Sequence, residues 1–125
     1  MMNYKILIID DDEQDRKGMA VALGKEGFSE ISFAENAQDG LTKALTERPD
    51  VVVIDVVLKS IDGFDVCTQI RADKTHPSKI IMITGHLDAI NATKARVSGA
   101  DEIIEKVQGF GNIGKTILQV LKVRR

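Results

Sequence analysis

The sequence predicts an α/β fold in which a single doubly wound parallel sheet of five strands carries helices on both faces. Short apolar runs typical of strands alternate with segments of helical periodicity along the whole chain. Two of these runs end directly in acid, at Asp10 and at Asp55. Both are rich in β-branched residues, which indicates buried parallel strands whose carboxyl ends open at one edge of the sheet.

Length and composition predict one soluble domain over residues 1–125. Of the 125 residues, 43% are hydrophobic and 29% are charged, which suffices for one core. The net charge of −2 creates no field that would attract nucleic acid or an anionic membrane. The single cysteine, Cys67, excludes an internal disulfide and an all-cysteine metal site. Without a secretory signal or a run of membrane-spanning length, a cytoplasmic protein with no membrane partner is expected.

Five strands and five helices are predicted in strict alternation. The strands are expected at residues 5–9, 31–34, 51–54, 79–84 and 102–105. The first helix is expected at about 14–26 after a cap at Asp12, and the second runs from the cap Asn36 to before Pro49. The third is expected from Gly63 to about Ala72. The fourth, which carries Ile90 and Val97, is expected from after Gly85 to Gly99, and the fifth from Gly111 or Asn112 onward. Such alternation favours a parallel sheet with right-handed crossovers.

Reactive side chains follow the strands at their carboxyl ends. Asp10 and Asp11 close the first strand, Asp55 the third, Thr84 the fourth and Lys106 the fifth. If the first and third strands are neighbours, these groups meet in one crevice. Converging carboxylates repel one another unless a cation joins them, and oxygen ligands suit Mg²⁺. A hydroxyl and an ammonium fit the oxygens of a transferring phosphoryl group, and an aspartate can be its acceptor.

Along its whole length the chain resembles the receiver domain of two-component response regulators. The matching motifs are Ile-Leu-Ile-Ile-Asp10-Asp11-Asp12, the segment from Asp55 to Gly63, Ile83-Thr84-Gly85, and Gly99-Ala100-Asp101 leading to Lys106. The resemblance implies a flavodoxin-like fold with strand order 2-1-3-4-5. It also implies that a sensor histidine kinase or a phosphotransfer protein phosphorylates Asp55.

The same resemblance implies the metal ligands and the phosphoryl contacts. The family's Mg²⁺ ligands fall on Asp10, Asp11, Asp55 and the backbone carbonyl of Val57, with Asp11 binding directly and Asp10 through water. The family's phosphoryl-contacting positions fall on Thr84 and Lys106. We therefore expect a Mg²⁺-dependent signalling module that changes a partner-binding surface and catalyses only its own phosphorylation and dephosphorylation.

Three positions depart from the family pattern without removing a group that touches phosphate. Lys59 and Val107 stand where proline is usual, and Ile103 stands where an aromatic residue is usual. We expect a trans bond before Val107, because a cis bond without proline costs ~3–4 kcal/mol. We also expect the signal to leave mainly through residues 85–88 and the following helix.

Two other classes of function remain open from the residues alone. A small phosphatase with an aspartyl nucleophile would use a second acid two residues on, a spacing that Asp10 and Asp12 have. A pseudo-receiver that only binds a partner would be expected to have lost an acid or Lys106. The basic residues within 115–125 are expected to form a solvated helix face, so direct nucleic-acid binding is not expected. His76 is expected in a solvated loop and His86 at the rim of the crevice.

Overall fold

A computed structural model of the chain describes residues 2–122. Strands and helices alternate throughout this part of the chain. In order they are β1 (Met2–Ile9), α1 (Glu13–Lys25), β2 (Phe28–Ala34), α2 (Ala37–Glu47), β3 (Val51–Asp55), α3 (Gly63–Ala72), β4 (Lys79–Thr84), α4 (Ala89–Ser98), β5 (Glu102–Glu105), a 3₁₀ helix (Gln108–Phe110) and α5 (Ile113–Lys122).

The five strands form one parallel sheet in the order β2-β1-β3-β4-β5, which confirms the predicted fold and strand order. Ile9 pairs with Ile54, and Asp55 pairs with Ile83. This register brings the carboxyl ends of β1, β3 and β4 to the same edge. Every residue of β3 is buried, as expected of a strand covered by helices on both sides.

Alternation along the strands divides the core between the two faces of the sheet. Leu7 and Ile9 of β1 pack against buried residues of α2, α3 and α4, whereas Ile6 and Ile8 pack against residues of α1 and α5. Each fully buried Leu or Ile side chain contributes about 1.5–3 kcal/mol relative to an exposed one. The helices and sheet therefore hold the strand ends in fixed positions.

Side-chain caps fix the helix starts next to the crevice. The Asp12 carboxylate accepts from the backbone N–H of Gln14 at 2.8 Å, and Asn36 Oδ1 accepts from that of Asp39 at 2.8 Å, as the sequence predicted. The fourth helix ends where expected, at Gly99 with a φ of 98°. This left-handed conformation suits glycine.

The fourth helix differs from its prediction in its start and its buried face. It begins at Ala89, after an Asp88 cap, and buries the small residues Ala95 and Ser98. Ile90 and Val97 are 66% and 80% exposed. The second strand also begins earlier than predicted, at Phe28, because the exposed Ser29 and Glu30 hide the strand from an apolar pattern.

The prediction of a solvated His76 is wrong. Its side chain is buried, with Nε2 2.6 Å from the carbonyl oxygen of Ala44 and Nδ1 accepting from the Ser78 N–H at 3.3 Å. The loop before β4 folds back against α2, a contact between residues 32 apart that local sequence does not show. Within residues 2–122, no helix is long and apolar enough to cross a membrane.

Candidate phosphoacceptor site

Two buried carboxylates lie at the carboxyl ends of the central strands. Asp10 is fully buried after β1, and Asp55, the last residue of β3, is 6% exposed. Asp10 Oδ1 accepts from the N–H of Asp12 at 2.9 Å, and Asp55 Oδ1 accepts from the N–H of Val57 at 3.0 Å. Each carboxylate is thus oriented by the backbone turn that follows it.

The ammonium of Lys106 enters the crevice from the loop after β5. Its Nζ lies 2.7 Å from Asp55 Oδ2, 3.3 Å from Asp10 Oδ2 and 2.6 Å from Asp15 Oδ2. The N–H of Lys106 donates to the carbonyl of Thr84 at 2.7 Å. The peptide bond before Val107 is trans, as predicted. Lys106 therefore reaches the acids without a proline after it.

Asp15 was not predicted from the sequence, although it makes the shortest of these contacts. It lies in the first turn of α1, three residues after the Asp12 cap. An acid there is ordinarily explained by the positive end of the helix dipole. The signal that could have found it is the nearness of that helix start to the edge where β1 ends.

The pKa values of Asp10 and Lys106 reflect burial first and the neighbouring charges second. Burial raises the pKa of Asp10 to about 6, opposed by the N–H of Asp12 and reinforced by the charge of Asp55, while Lys106 lowers it. Burial lowers the pKa of Lys106, but its hydrogen bonds with Asp15 and Asp55 outweigh this and raise it above the ordinary value. Lys106 is charged at neutral pH and cannot by itself neutralise the acids around it.

The donor set fits a hard divalent cation. Carboxylate oxygens of Asp10, Asp11 and Asp55 lie within 4.8 Å of one another. Asp11 is half-buried, while Asp10 and Asp55 are buried, so the group is open on one side. Oxygen-only donors that leave room for water suit Mg²⁺. Bound positive charge would also relieve the repulsion by Asp55, which adds to the effect of burial on the pKa of Asp10.

Thr84 and Val57 occupy the neighbouring ends of the crevice. The Thr84 hydroxyl is engaged in its own loop: it accepts from the N–H of His86 at 3.2 Å and donates to the His86 carbonyl at 3.3 Å. The side chain of Val57 is 70% exposed, and its backbone turns around the Asp55 carboxylate. The structure thus brings Asp55 and Lys106 into direct contact, with Thr84 at the adjacent strand end.

Gly63 allows the acceptor loop to close tightly against α3. A Cβ at this position would lie 2.1 Å from the carbonyl oxygen of Asp55. The N–H of Gly63 donates to the carbonyl of Val56 at 2.8 Å. The glycine of the Asp55–Gly63 motif is therefore required by close backbone approach.

Residues 6–118 match the family model of the response regulator receiver domain. The chain belongs to this family. Receiver domains act in two-component signalling, and the fold and strand order agree with this membership.

Individual relatives support the same assignment. The transcriptional regulatory protein AfsQ1 of Streptomyces coelicolor is 37% identical over 105 residues, which cover 83% of this chain and 45% of that protein. The chain thus spans about half the length of the curated relatives it matches.

Solved receiver structures superpose over almost the whole chain. The signal receiver domain of a DNA-binding response regulator (merR) from Colwellia psychrerythraea has a TM-score of 0.84 at 29% identity, covering 97% of this chain and all of that one. The receiver domain of NarL from Mycobacterium tuberculosis is similar in fold, with a TM-score of 0.87 at 23% identity. The match covers 99% of this chain and 100% of that one.

Proposed function

We propose that this receiver domain accepts a phosphoryl group on Asp55 from a sensor histidine kinase or a phosphotransfer protein, in a Mg²⁺-dependent reaction in the cytoplasm. The observation that carries the proposal is the contact between the Asp55 carboxylate and the Lys106 ammonium, 2.7 Å apart in a crevice with excess negative charge. An acceptor needs a fixed carboxylate with positive charge beside the oxygens it will receive.

The chemistry is the transfer of one phosphoryl group from a phosphohistidine of the donor to the free Asp55 carboxylate. A carboxylate oxygen of Asp55 attacks phosphorus and forms the O–P bond of an acyl phosphate. The P–N bond of the donor phosphohistidine breaks, and its electron pair stays on the imidazole nitrogen. Asp10, Asp11, Asp55 and the carbonyl of Val57 would hold Mg²⁺, which supplies charge neutralisation when bound. Lys106 binds the new oxygens through its ammonium.

The proposed output is a change in a partner-binding surface. To contact a phosphoryl group on Asp55, the Thr84 hydroxyl must leave its two hydrogen bonds with the His86 backbone. That exchange would shift residues 85–88 and the start of α4, whose Ile90 is exposed. The recipient is an output partner or an effector domain, and we propose no direct contact of this domain with nucleic acid. Arg124 and Arg125 lie outside the described residues.

Phosphorylation by a small donor tests the proposal. Incubation with acetyl phosphate and Mg²⁺, followed by intact mass measurement, should give one phosphoryl adduct that chelation of Mg²⁺ prevents. Asp55→Asn should give none, because an amide is a poor nucleophile. Asp50→Asn is the matched control, since Asp50 precedes the same strand at its opposite end. Turnover of phosphate esters would instead support the phosphatase, and no reaction would support the pseudo-receiver.

Amide exchange tests the proposed output route. With a beryllofluoride phosphoryl mimic, protection should change more at residues 85–92 than around Ile103. Ile103 is aliphatic and has few rotamers to exchange. A dominant change at Ile103 would contradict this route.

A further inference from the structure

The Lys106 ammonium has one partner that belongs neither to the strands nor to the candidate metal cluster. Asp15 Oδ2 lies 2.6 Å from Lys106 Nζ, closer than either Asp55 or Asp10. The Lys106 and Asp15 side chains are only 19% and 27% exposed. Among the residues that the structure describes, the candidate metal group is Asp10, Asp11 and Asp55, without Asp15.

Within residues 2–122, the ion-pair partners of the Lys106 ammonium are the carboxylates of Asp10, Asp15 and Asp55. A lysine has a flexible four-carbon stem, so fixing its backbone leaves its ammonium free to move. The backbone after it is extended at Val107, with φ −108° and ψ 157°. The position of the ammonium therefore depends on the carboxylates that bind it.

The proposed reaction changes the charge or the ligands of some of these three carboxylates and not of others. Asp55 becomes the acyl phosphate and loses the charge of its carboxylate. Asp10 is the most distant of the three and lies within the candidate metal group. Asp15 changes neither covalently nor by metal binding, and its helix start is held by the Asp12 cap, which accepts from the N–H of Gln14 at 2.8 Å and from that of Asp15 at 3.4 Å.

We propose that Asp15 is a positioning residue that holds the Lys106 ammonium at the phosphoacceptor throughout phosphorylation. The inference rests on the proposed function of Asp55. Asp15 lies on α1 and acts through Lys106. Its side-chain contact across the crevice fixes the ammonium, which the extended backbone after Lys106 does not.

The rate of phosphorylation by acetyl phosphate at saturating Mg²⁺ tests this role. Asp15→Ala should lower the rate about tenfold, because misplacing a reacting group by ~1 Å can cost up to ~100-fold. Asp15→Asn keeps an oxygen that accepts from the ammonium and should restore part of the rate. The affinity for Mg²⁺ should stay unchanged in both. Glu13→Ala is the matched control, since Glu13 lies in the same turn and pairs with the exposed Lys17; it should keep the wild-type rate.

Repeating the Asp15→Ala substitution in a Lys106 variant separates a positioning role from a merely structural one. In Lys106→Met, adding Asp15→Ala should cause no further loss, whereas a structural defect would lower the rate in both backgrounds. Equal rates for Asp15→Ala and Glu13→Ala, or a faster Asp15→Ala, would overturn the inference while Asp55 phosphorylation stands. Absence of any adduct on the wild-type chain would overturn the proposed function and this inference with it.

Discussion

Two clusters of largely buried charge lie at opposite ends of the sheet. The amino-end cluster is built on Arg71, whose Nη2 donates to Asp101 Oδ2 at 2.7 Å. Its other nitrogens donate to the carbonyls of Gly99 at 2.8 Å and Ser78 at 2.7 Å. Asp101 also accepts from the N–H of Ile80 at 2.8 Å. Backbone groups of Ser78, Ile80 and Gly99 are bound in the same network as this ion pair.

The carboxyl-end cluster gathers the acids of the proposed phosphoacceptor site around Lys106. The carboxylates of Asp10, Asp15 and Asp55 contact this ammonium, and a carboxylate oxygen of Asp11 lies within 4.8 Å of those of Asp10 and Asp55. Burial raises the pKa of Asp10, and the neighbouring charge of Asp55 adds a smaller contribution.

The contrast separates a structural network from a ligand site. The Arg71–Asp101 ion pair and its hydrogen bonds tie α3 to the start of β4 and to the segment before β5. Repulsion among the acids of the carboxyl-end cluster lowers the stability of the free chain. Binding of a cation at this cluster relieves the repulsion and so stabilises the chain. Substitutions at the amino end should therefore change folding, and those at the carboxyl end should change binding.

The largest effect on folding is expected from Arg71→Ala. It removes the Arg71 guanidinium from the partly buried Asp101 carboxylate, together with hydrogen bonds to two carbonyls, so we expect a loss of about 3–4 kcal/mol in the free energy of unfolding. Urea unfolding measures this change. Lys17→Ala breaks an exposed pair and should cost less than ~1 kcal/mol. Equal losses would show that the amino-end cluster has no special structural role.

The pH dependence of stability should reveal the burial of Asp10 beside Asp55. Its pKa is about 6 in the folded chain against an ordinary 3.8, so the folded form binds the proton more tightly. This contribution is fully present below about pH 4 and is lost as the pH rises through 6. Without Mg²⁺, the wild type should lose about 2 kcal/mol relative to Asp10→Asn between pH 4 and pH 8. Parallel profiles for the two proteins would contradict the raised pKa of Asp10.

Asp11→Ala should separate metal binding from folding. We expect at least tenfold weaker Mg²⁺ binding, or about 1.4 kcal/mol, because the proposed direct ligand is lost. The free chain should fold normally and its melting temperature should be unchanged or higher, since one repelling charge is removed. The rise in melting temperature with Mg²⁺ should shrink accordingly. Collapse of the fold would assign Asp11 a structural role instead.

The smallest effect is expected from Val57→Asn on the lifetime of the phosphorylated form. The exposed, apolar Val57 cannot orient a water for hydrolysis, so loss of phosphate should be slow. Asparagine at this rim should speed it a few-fold by binding that water. The lifetime is measured by intact mass after removal of the donor, with His86→Ala as a companion variant. Equal lifetimes for wild type and Val57→Asn would contradict the prediction.

Most of the sheet could be predicted because its signals are local. The apolar runs before Asp10 and Asp55 mark buried strands, and Asp12, Asn36 and Gly99 mark helix ends. Each depends on a few neighbouring residues. The order of the strands came from the resemblance to receiver domains rather than from the pattern itself.

Features that depend on contacts between residues far apart in the chain could not be predicted from the sequence. His76 is buried only because its loop meets Ala44, and Asp15 reaches Lys106 across a separation of 91 residues. Both side chains would be solvated if only their neighbours were considered. The acids at strand ends were found because the sheet edge itself brings them together.

The most direct test locates the phosphoryl group within the chain. After phosphorylation by acetyl phosphate with Mg²⁺, borohydride reduces an acyl phosphate at the modified side chain, and peptide mass mapping identifies that residue. We predict that the reduced residue is Asp55. A modification at Asp10, Asp11 or Asp12, or on a histidine, would contradict the central claim that Asp55 is the acceptor.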